Sequence, residues 1–536
     1  MPQATAKALR ADWLPAVALS TALAALLVVW DPRASDLAAQ VFRAELFERG
    51  GLAIWNSSWY GGHYTLTYSV LFPPLAALLT PQLSGLLAVV ASAYLFDRLV
   101  SDRWGPAARP ATLWFAAGVV TLLADGQLAF ALGVALALAS LRCLQVGRPV
   151  AAAVIAAACP LASPVAGAFL AGVVVSGLLA RRERPAPGPA AVALAALALT
   201  VVPNLAFPEA GEFPFVFSSY VAIPLWCAAA LLVTRGIEEE AELRWVVGCY
   251  LAAATLIWLL PNPMGGNAIR LGALFGGPVL AAVFLARRPR VPLLAIGLVL
   301  LGSFYWQVTA SVREVARSVG DPSTQAAYFE PAARWLLEHG GRYGRIEVPP
   351  TANHWEAAYL APRFDLARGW LRQLDTTREA IFYKHPLTHR AYRDWLRDGA
   401  VSFVALPDAK LDYSAKAERR LILEQPPYLE PRWRSEHWRI YSVRDPKPLV
   451  EPLNGGRARV RAVGQQAFSL TVSRPGEFLV RINHTPYWAV SGDAGCVTRH
   501  GEWTAVRAFR PGTLRVEANF SLTRAWRAIS GSPSSC

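Results

Sequence analysis

The sequence predicts a polytopic α-helical membrane domain followed by an external α/β unit and a C-terminal β-sandwich. Of its 536 residues, 54% are hydrophobic and 17% charged, against about 25% charged in a soluble domain. The apolar excess lies before residue 310, in runs long enough to cross ~30 Å of hydrocarbon as helices. Beyond it the pattern changes to helix–strand alternation, then to short strands broken by turn residues.

Eleven apolar segments read as candidate spans: 13–30, 70–96, 111–124, 127–141, 150–160, 164–180, 189–206, 220–234, 245–260, 270–286 and 291–308. Those at 111–124 and 150–160 are short, as tilted or re-entrant segments are. The first reads as an uncleaved anchor, its apolar run being long for a signal peptide. Arginines sort the connecting loops. With Lys7 and Arg10 on the cytoplasmic side, the same side collects Arg98, Arg103, Arg109, Arg142 and Arg148. Arg181, Arg182, Arg184, Arg235, Arg244, Arg287, Arg288 and Arg290 join them. That asymmetry is the positive-inside pattern of a multi-pass protein of the plasma (inner) membrane. An odd number of crossings then puts everything after about residue 310 outside the cytoplasm.

The expected domains are residues 1–309, the membrane part with a long first external loop at 31–69, then 310–449, α/β, and 450–536, the sandwich. "GRIEVPP" and "AVSFVALPD" read as buried strands of the α/β unit. The two "RPG" turns, each flanked by alternating apolar residues, read as hairpins of the sandwich. "RPAPGPA" is the one low-complexity linker.

Six cysteines divide by compartment. Cys143, Cys159, Cys227 and Cys249 sit in or beside apolar runs, as small hydrophobes do. Cys496 and Cys536 are alone in the external half, where an oxidising compartment favours a disulfide between them.

Absences exclude whole classes of chemistry. There is no phosphate-binding Gly-x-x-x-x-Gly-Lys, no dinucleotide Gly-x-Gly-x-x-Gly, no Cys-x-x-Cys and no His-Glu-x-x-His. No cofactor is expected, although a divalent metal stays open. The net charge of +14 follows topology and shows no RNA-binding pattern, so nucleic acid is not an expected partner. His385 and His389, with Pro386 between them, read as a surface pair.

Chemistry concentrates in "SDLAAQVFRAELFERGGLAIWNSSWYGGHY" (Ser35–Tyr64), directly after the first span. Asp36 stands at its start. Leu37, Val41, Leu46 and Phe47 form the apolar stripe of a helix along the membrane surface. Gly50 and Gly51 end that helix, and an aromatic, glycine-broken loop follows. Singly, Asp36 reads equally as a helix cap and the aromatics as an interfacial belt.

Together, an Asp at the external mouth of the first span, an interfacial helix, the "WNSSWYGG" loop and a Pro-containing second span resemble the GT-C class of membrane glycosyltransferases. The likeness is strongest over residues 13–80. The layout of the whole chain is also similar to bacterial membrane proteins of the YfhO type. The family's acid often comes as a pair, whereas here Asp36 stands alone with Asp31 five residues before it. The resemblance implies an inverting enzyme that takes a sugar from a polyprenyl-phosphate donor and transfers it to a cell-envelope glycan, lipid or protein.

Phosphate departure calls for a cation and the acceptor hydroxyl for a base. Asp36 is the candidate base, with Asp125, in the external turn "ADGQ", as the second acid the family often keeps there. Arg270 and Asn267, in "PNPMGGNAIRLG", are candidates for the donor phosphate. Trp59, Tyr60 and His63 are candidates for the sugar, and "TANHWEAAYLAP", with His354 and Glu356, for a roof over the acceptor. Two other classes stay open: a transporter or flippase of lipid-linked envelope material, and a non-catalytic glycan-binding scaffold. A transporter would gather its polar groups at mid-bilayer. A scaffold would leave Asp36 and Arg270 far apart.

Overall fold

The computed structural model describes residues 12–181, 186–209, 211–341, 344–531 and 536. Lys7, Arg10, Arg182, Arg184 and the first residues of the "RPAPGPA" linker lie outside the described residues.

The N-terminal part is helical: α1 (Leu14–Trp30), α2 (Ser35–Gly50), α3 (Phe72–Leu79), α4 (Pro81–Trp104), α5 (Arg109–Gly118), α6 (Thr121–Ala124), α7 (Leu128–Gln145) and α8 (Pro149–Ala162). It continues with α9 (Pro164–Ala180), α10 (Pro187–Ala206), α11 (Phe217–Tyr220), α12 (Ala222–Val233), α13 (Ala241–Leu259), α14 (Ile269–Arg287) and α15 (Leu293–Ser318). Each expected apolar segment falls on helix, but the count of full spans is lower. Among the described residues, seven helical stretches are long and apolar enough to cross a membrane, or eight if the bent pair α1–α2 is one span. α8, α9 and the α11–α12 stretch are shorter apolar helices. The 14 residues of α8 reach only about 21 Å, short of the hydrocarbon thickness.

The second expected span is broken. Thr80 has φ +85° and Pro81 opens α4, because proline lacks the N–H that would continue α3. Thr80 Oγ1 then accepts from the Leu83 amide as the new N-cap. At the other end, α15 runs to Ser318, nine residues past the expected boundary at 309.

One end of the bundle is stapled by the arginines that the loop analysis grouped. Arg103 and Arg287 both reach the fully buried Glu240, at 3.2 and 3.0 Å. Arg181 pairs with Glu242 at 3.1 Å, Arg109 with Asp12 at 2.7 Å, and Arg142 with Asp102. α14 therefore joins two ends of different character, with Arg287 in this cluster and Arg270 about 26 Å away along the axis.

Beyond α15 come α16 (Ala326–Glu338), α17 (Glu356–Tyr359), α18 (Arg372–Arg378), α19 (His389–Asp398) and α20 (Lys416–Leu423). With them, strands Arg345–Glu347, Val401–Pro407, Trp438–Val443 and Leu429–Arg434 lie side by side in one mixed sheet, the first pair parallel and the others antiparallel. Two antiparallel four-stranded sheets between Val450 and Ala518 close over Phe468, Leu470, Phe478, Val480, Val506 and Val516. A final helix, α21 (Leu522–Ser530), follows the last strand; the strand-and-turn reading made no provision for it.

Cys496 and Cys536 are disulfide-bonded, with Cα atoms 5.4 Å apart and a sequence separation of 40. Closing such a loop contributes about 3–4 kcal/mol in the chain-entropy account. Non-reducing peptide mapping is expected to recover the two cysteines in one linked fragment. Recovery of both as free thiols would reject the bridge.

The first external loop ties the units together. Trp55–Asn56 pairs with His63–Tyr64 as a two-stranded ribbon, and Trp55 and Tyr64 enter the sandwich core beside Trp488 and Tyr487. The Asn483 amide donates to the Gly61 carbonyl at 2.8 Å. On the other side, Trp59 Nε1 donates to Ala357 O and the Leu366 amide to Ser58 O. α2 itself is enclosed rather than lying open on the membrane surface. α3, α4 and α7 pack on one side and α17 on another, so Leu37, Ala38, Gln40, Phe42 and Arg43 are all buried.

Candidate functional site

Three of the sequence candidates converge where the helices meet the α/β and sandwich units. α2 leaves α1 at an 80° bend, which carries Asp36 in its first turn over the mouth of the bundle. Arg270, in the first turn of α14, stands with Nη2 4.0 Å from Asp36 Oδ2. Its guanidinium also lies 5.1 Å over the Phe130 ring of α7. About a third of the Asp36 side chain stays open, so the pair is recessed yet reachable.

Asp125 follows α6 in a tight turn whose Gly126 has φ +73°. The turn presses against the start of α2. A Cβ built on Gly126 would stand 2.3 Å from the Leu37 amide nitrogen. Gly126→Ala is therefore expected to cost about 1–3 kcal/mol and to displace the first turn of α2. Thermal unfolding of the purified variant checks the first effect, and hydrogen–deuterium exchange of the first α2 amides the second.

Glu314 of α15 joins the cluster. Ser35 Oγ donates to its Oε2 at 3.1 Å, and Arg317 pairs with Oε1 at 2.7 Å. Burial and the negative charge of Glu314 push the Asp36 carboxyl above its ordinary value, while Arg270, His354 and Arg43 pull it down. Burial pushes Asp125 up to about 7, with Asp36 and Glu314 adding to the effect.

The "TANHWEAAYLAP" loop forms a roof beside this cluster. Asn353 Nδ2 donates to Asp321 Oδ2 at 2.8 Å, and Trp355 Nε1 to the Arg33 carbonyl at 3.1 Å. His354, at φ +56°, stacks on Trp370 with centroids 3.5 Å apart. Its ring nitrogens lie 3.4 Å from Glu356 and 3.6 Å from Asp412. Burial opposes a charge there, but these two carboxylates raise the imidazole above its usual value. Glu356 is itself buried and accepts from the Thr351 hydroxyl at 2.7 Å. It orients His354 and presents no free edge to a sugar.

The aromatic loop departs from expectation. Trp59 is fully buried, with Phe42 stacked on it at 4.3 Å and His63 at 5.5 Å. Neither ring face is open for stacking on a sugar. The Tyr60 hydroxyl accepts from the Leu371 amide at 3.1 Å. Tyr60 lines a separate cleft of about 1010 Å³ between the sandwich and the α/β unit. His63 is buried and kept neutral by that burial and by Arg378 and Arg43. Asn267 is half-buried one turn before Arg270, in a turn organised instead by Asn262, whose Oδ1 accepts from the Gly265 amide at 2.8 Å. Asp31 pairs with Arg33 at 2.7 Å and accepts from Gln82 at 3.0 Å, which engages it in holding the α1–α2 bend.

Sequence reasoning missed Gln40 and Arg43. With Asp36 they sit at i, i+4 and i+7, one face of α2. Gln40 Nε2 donates to the Tyr68 hydroxyl at 2.7 Å, and the Arg43 guanidinium lies 3.6 Å over the Tyr68 ring. Gln40 Oε1, Arg43 Nη2 and His63 Nδ1 are buried without a hydrogen-bond partner, an arrangement that native interiors rarely tolerate. The spacing was visible in the sequence, but it reads there as the solvated side of an amphipathic helix.

Beside Arg270 begins an apolar groove of about 470 Å³ between α4, α7, α9, α13 and α14. It extends from Leu271 past Val134, Phe169 and Phe275 to Arg103, Arg181 and Glu242 at the opposite end.

No family model matches the chain, and no curated protein matches it in sequence. Among solved structures, the cryo-EM structure of the arabinofuranosyltransferase AftD from Mycobacteria superposes with a TM-score of 0.45 at 16% identity. The match covers 96% of this chain and 58% of that one, so the chain spans little more than half of that structure's length.

Proposed function

We propose that the chain is a membrane glycosyltransferase of inverting type that uses a polyprenyl-phosphate sugar. The observation that carries the reading is the 4.0 Å juxtaposition of Asp36 and Arg270, with the next residue, Leu271, lining an apolar groove that runs toward the other end of the helices. A carboxylate and a guanidinium side by side at the end of a bundle match a reaction at the membrane surface. A lipid chain in the groove would bring its phosphate to the level of Arg270. The paired N–H groups of that guanidinium suit a phosphate.

The step is a single displacement. The acceptor oxygen attacks the anomeric carbon and loses its proton to Asp36. The bond from that carbon to the phosphate oxygen breaks, and the lipid phosphate leaves with the electron pair against Arg270. Asp125, titrating near neutrality, offers a further hydrogen bond. His354, held between two carboxylates, adds positive charge above the site and favours the ionised Asp36.

The alternatives are less well supported. The charged cluster sits at the helix ends, whereas a transporter gathers polar groups near the midplane. A scaffold has no need of the close acid–base pair.

The sidedness follows from charge: the Arg103–Glu240–Arg287 end is cytoplasmic, which makes the Asp36 end and residues 319–536 external. Cysteine labelling of intact cells near residue 400 tests it. Reaction before permeabilisation is expected, and reaction only afterwards would reverse the orientation. The reading as a whole is tested by transfer from synthetic polyprenyl-phosphate sugars to envelope glycan fragments, using purified protein in detergent.

A further inference from the structure

Among the described residues, the C-terminal helix α21 leaves an apolar face with no protein over it. Leu522 is 82% exposed, Trp526 68% and Ile529 45%, and Phe520 just before the helix is 55% exposed. The three helical residues are spaced i, i+4 and i+7 and share one side. The helix is amphipathic: Ala525 and Ala528 pack into the sandwich core, while Arg527 lines the aqueous cleft between sandwich and α/β unit.

What α21 rests against identifies what covers that face. It packs on α10, a helix long and apolar enough to span a membrane. The contact is at the α10 C-terminal end, where the Tyr487 hydroxyl donates to the Ala206 carbonyl at 2.7 Å and Phe207 meets Phe520 at 6.2 Å. Val201, Val202 and Leu205 on the last turns of α10 are 43%, 54% and 51% exposed, as lipid-facing residues of a span are. The bare face of α21 thus continues the lipid-facing surface of α10 at the level where the span ends. Tryptophan at that level is typical of the interface, where an indole sits among headgroups.

We infer that α21 is a membrane-surface helix whose Leu522–Trp526–Ile529 face lies in the outer part of the same bilayer that α10 crosses. Its arginines turn toward water, the arrangement of a helix lying in the interface plane. The Cys496–Cys536 bridge anchors the chain just beyond it to the sandwich. The sandwich therefore meets the bilayer through its own last helix as well as through the spans. This inference is independent of the transfer reaction.

The test uses the full chain in phosphatidylcholine–phosphatidylglycerol nanodiscs, with Cys143 and Cys249 replaced by alanine. A nitroxide is attached at Trp526→Cys, separately at Leu522→Cys, and as an aqueous control at Arg510→Cys in a sandwich turn. Collision rates with oxygen, which concentrates in lipid, and with a polar nickel chelate are compared. At 522 and 526 oxygen is expected to dominate and the chelate to be excluded, with the reverse at 510. Chelate access at 522 and 526 equal to that at 510 would overturn the inference. Protection from both reagents would overturn it too, since it would mean that protein, a second copy included, covers the face.

Discussion

Asp36→Asn is expected to lower turnover by about 10²–10⁴-fold, the usual contribution of a general base, while leaving the fold and donor binding close to wild type. Asparagine keeps the size of the side chain and can still accept a hydrogen bond near Arg270, but it cannot take the acceptor's proton. Asp31→Asn is expected to do less to catalysis, because Asp31 is already held by Arg33 and Gln82 at the α1–α2 bend. Asp125→Asn is expected to fall between them. The measurement is single-turnover transfer from a synthetic polyprenyl-phosphate sugar. A fully active Asp36→Asn protein beside an inactive Asp125→Asn protein would move the base to the α6–α7 turn.

Arg270→Gln is expected to weaken donor binding by about 10- to 100-fold, the range for losing one charged hydrogen-bonding partner. Arg270→Lys keeps the charge without the fork and should fall between wild type and Gln. The same substitution should appear in the pH profile. Asp36 must be ionised to act as a base, and burial already raises it while Arg270 pulls it down. Removing Arg270 should therefore shift the acidic limb of the rate profile to higher pH, with activity lost sooner as pH falls. Wild-type donor affinity together with an unmoved acidic limb would reduce Arg270 to a side chain anchored at the membrane interface.

What could be read from the sequence was whatever local chemistry writes down. Apolar runs gave helices, and polar residues at their ends gave Asp36, Asp125 and Arg270, which the structure brings to one place. Asp36 and Arg270 stand in the first turns of α2 and α14 and Asp125 just after α6, so packing the helices was enough to gather them. The arginine bookkeeping likewise anticipated the cluster around Glu240. What local pattern could not show is burial by tertiary packing. Gln40 and Arg43 look solvated until the first loop folds Tyr68 over them, and Trp59 looks like a sugar platform until Phe42 and His63 cover its faces. α21 escaped because nine residues after a run of strands carry too little periodicity to announce a helix.

The ribbon of the first loop has a consequence for how the protein is made. Trp59 waits for Ala357, 298 residues downstream, and Tyr64 for Thr485, 421 residues downstream. At about 5–20 residues per second, synthesis alone leaves the Tyr64 side without its partner for roughly 20–85 s. During that interval Trp55, Trp59 and Tyr64 have only one another, Phe42 and His63 to pack on, next to a nascent membrane bundle. The last strands to emerge thus complete a structure whose first piece was laid down at the start. A truncation within the sandwich would therefore strand the loop that holds α2, and with it Asp36, some 450 residues upstream.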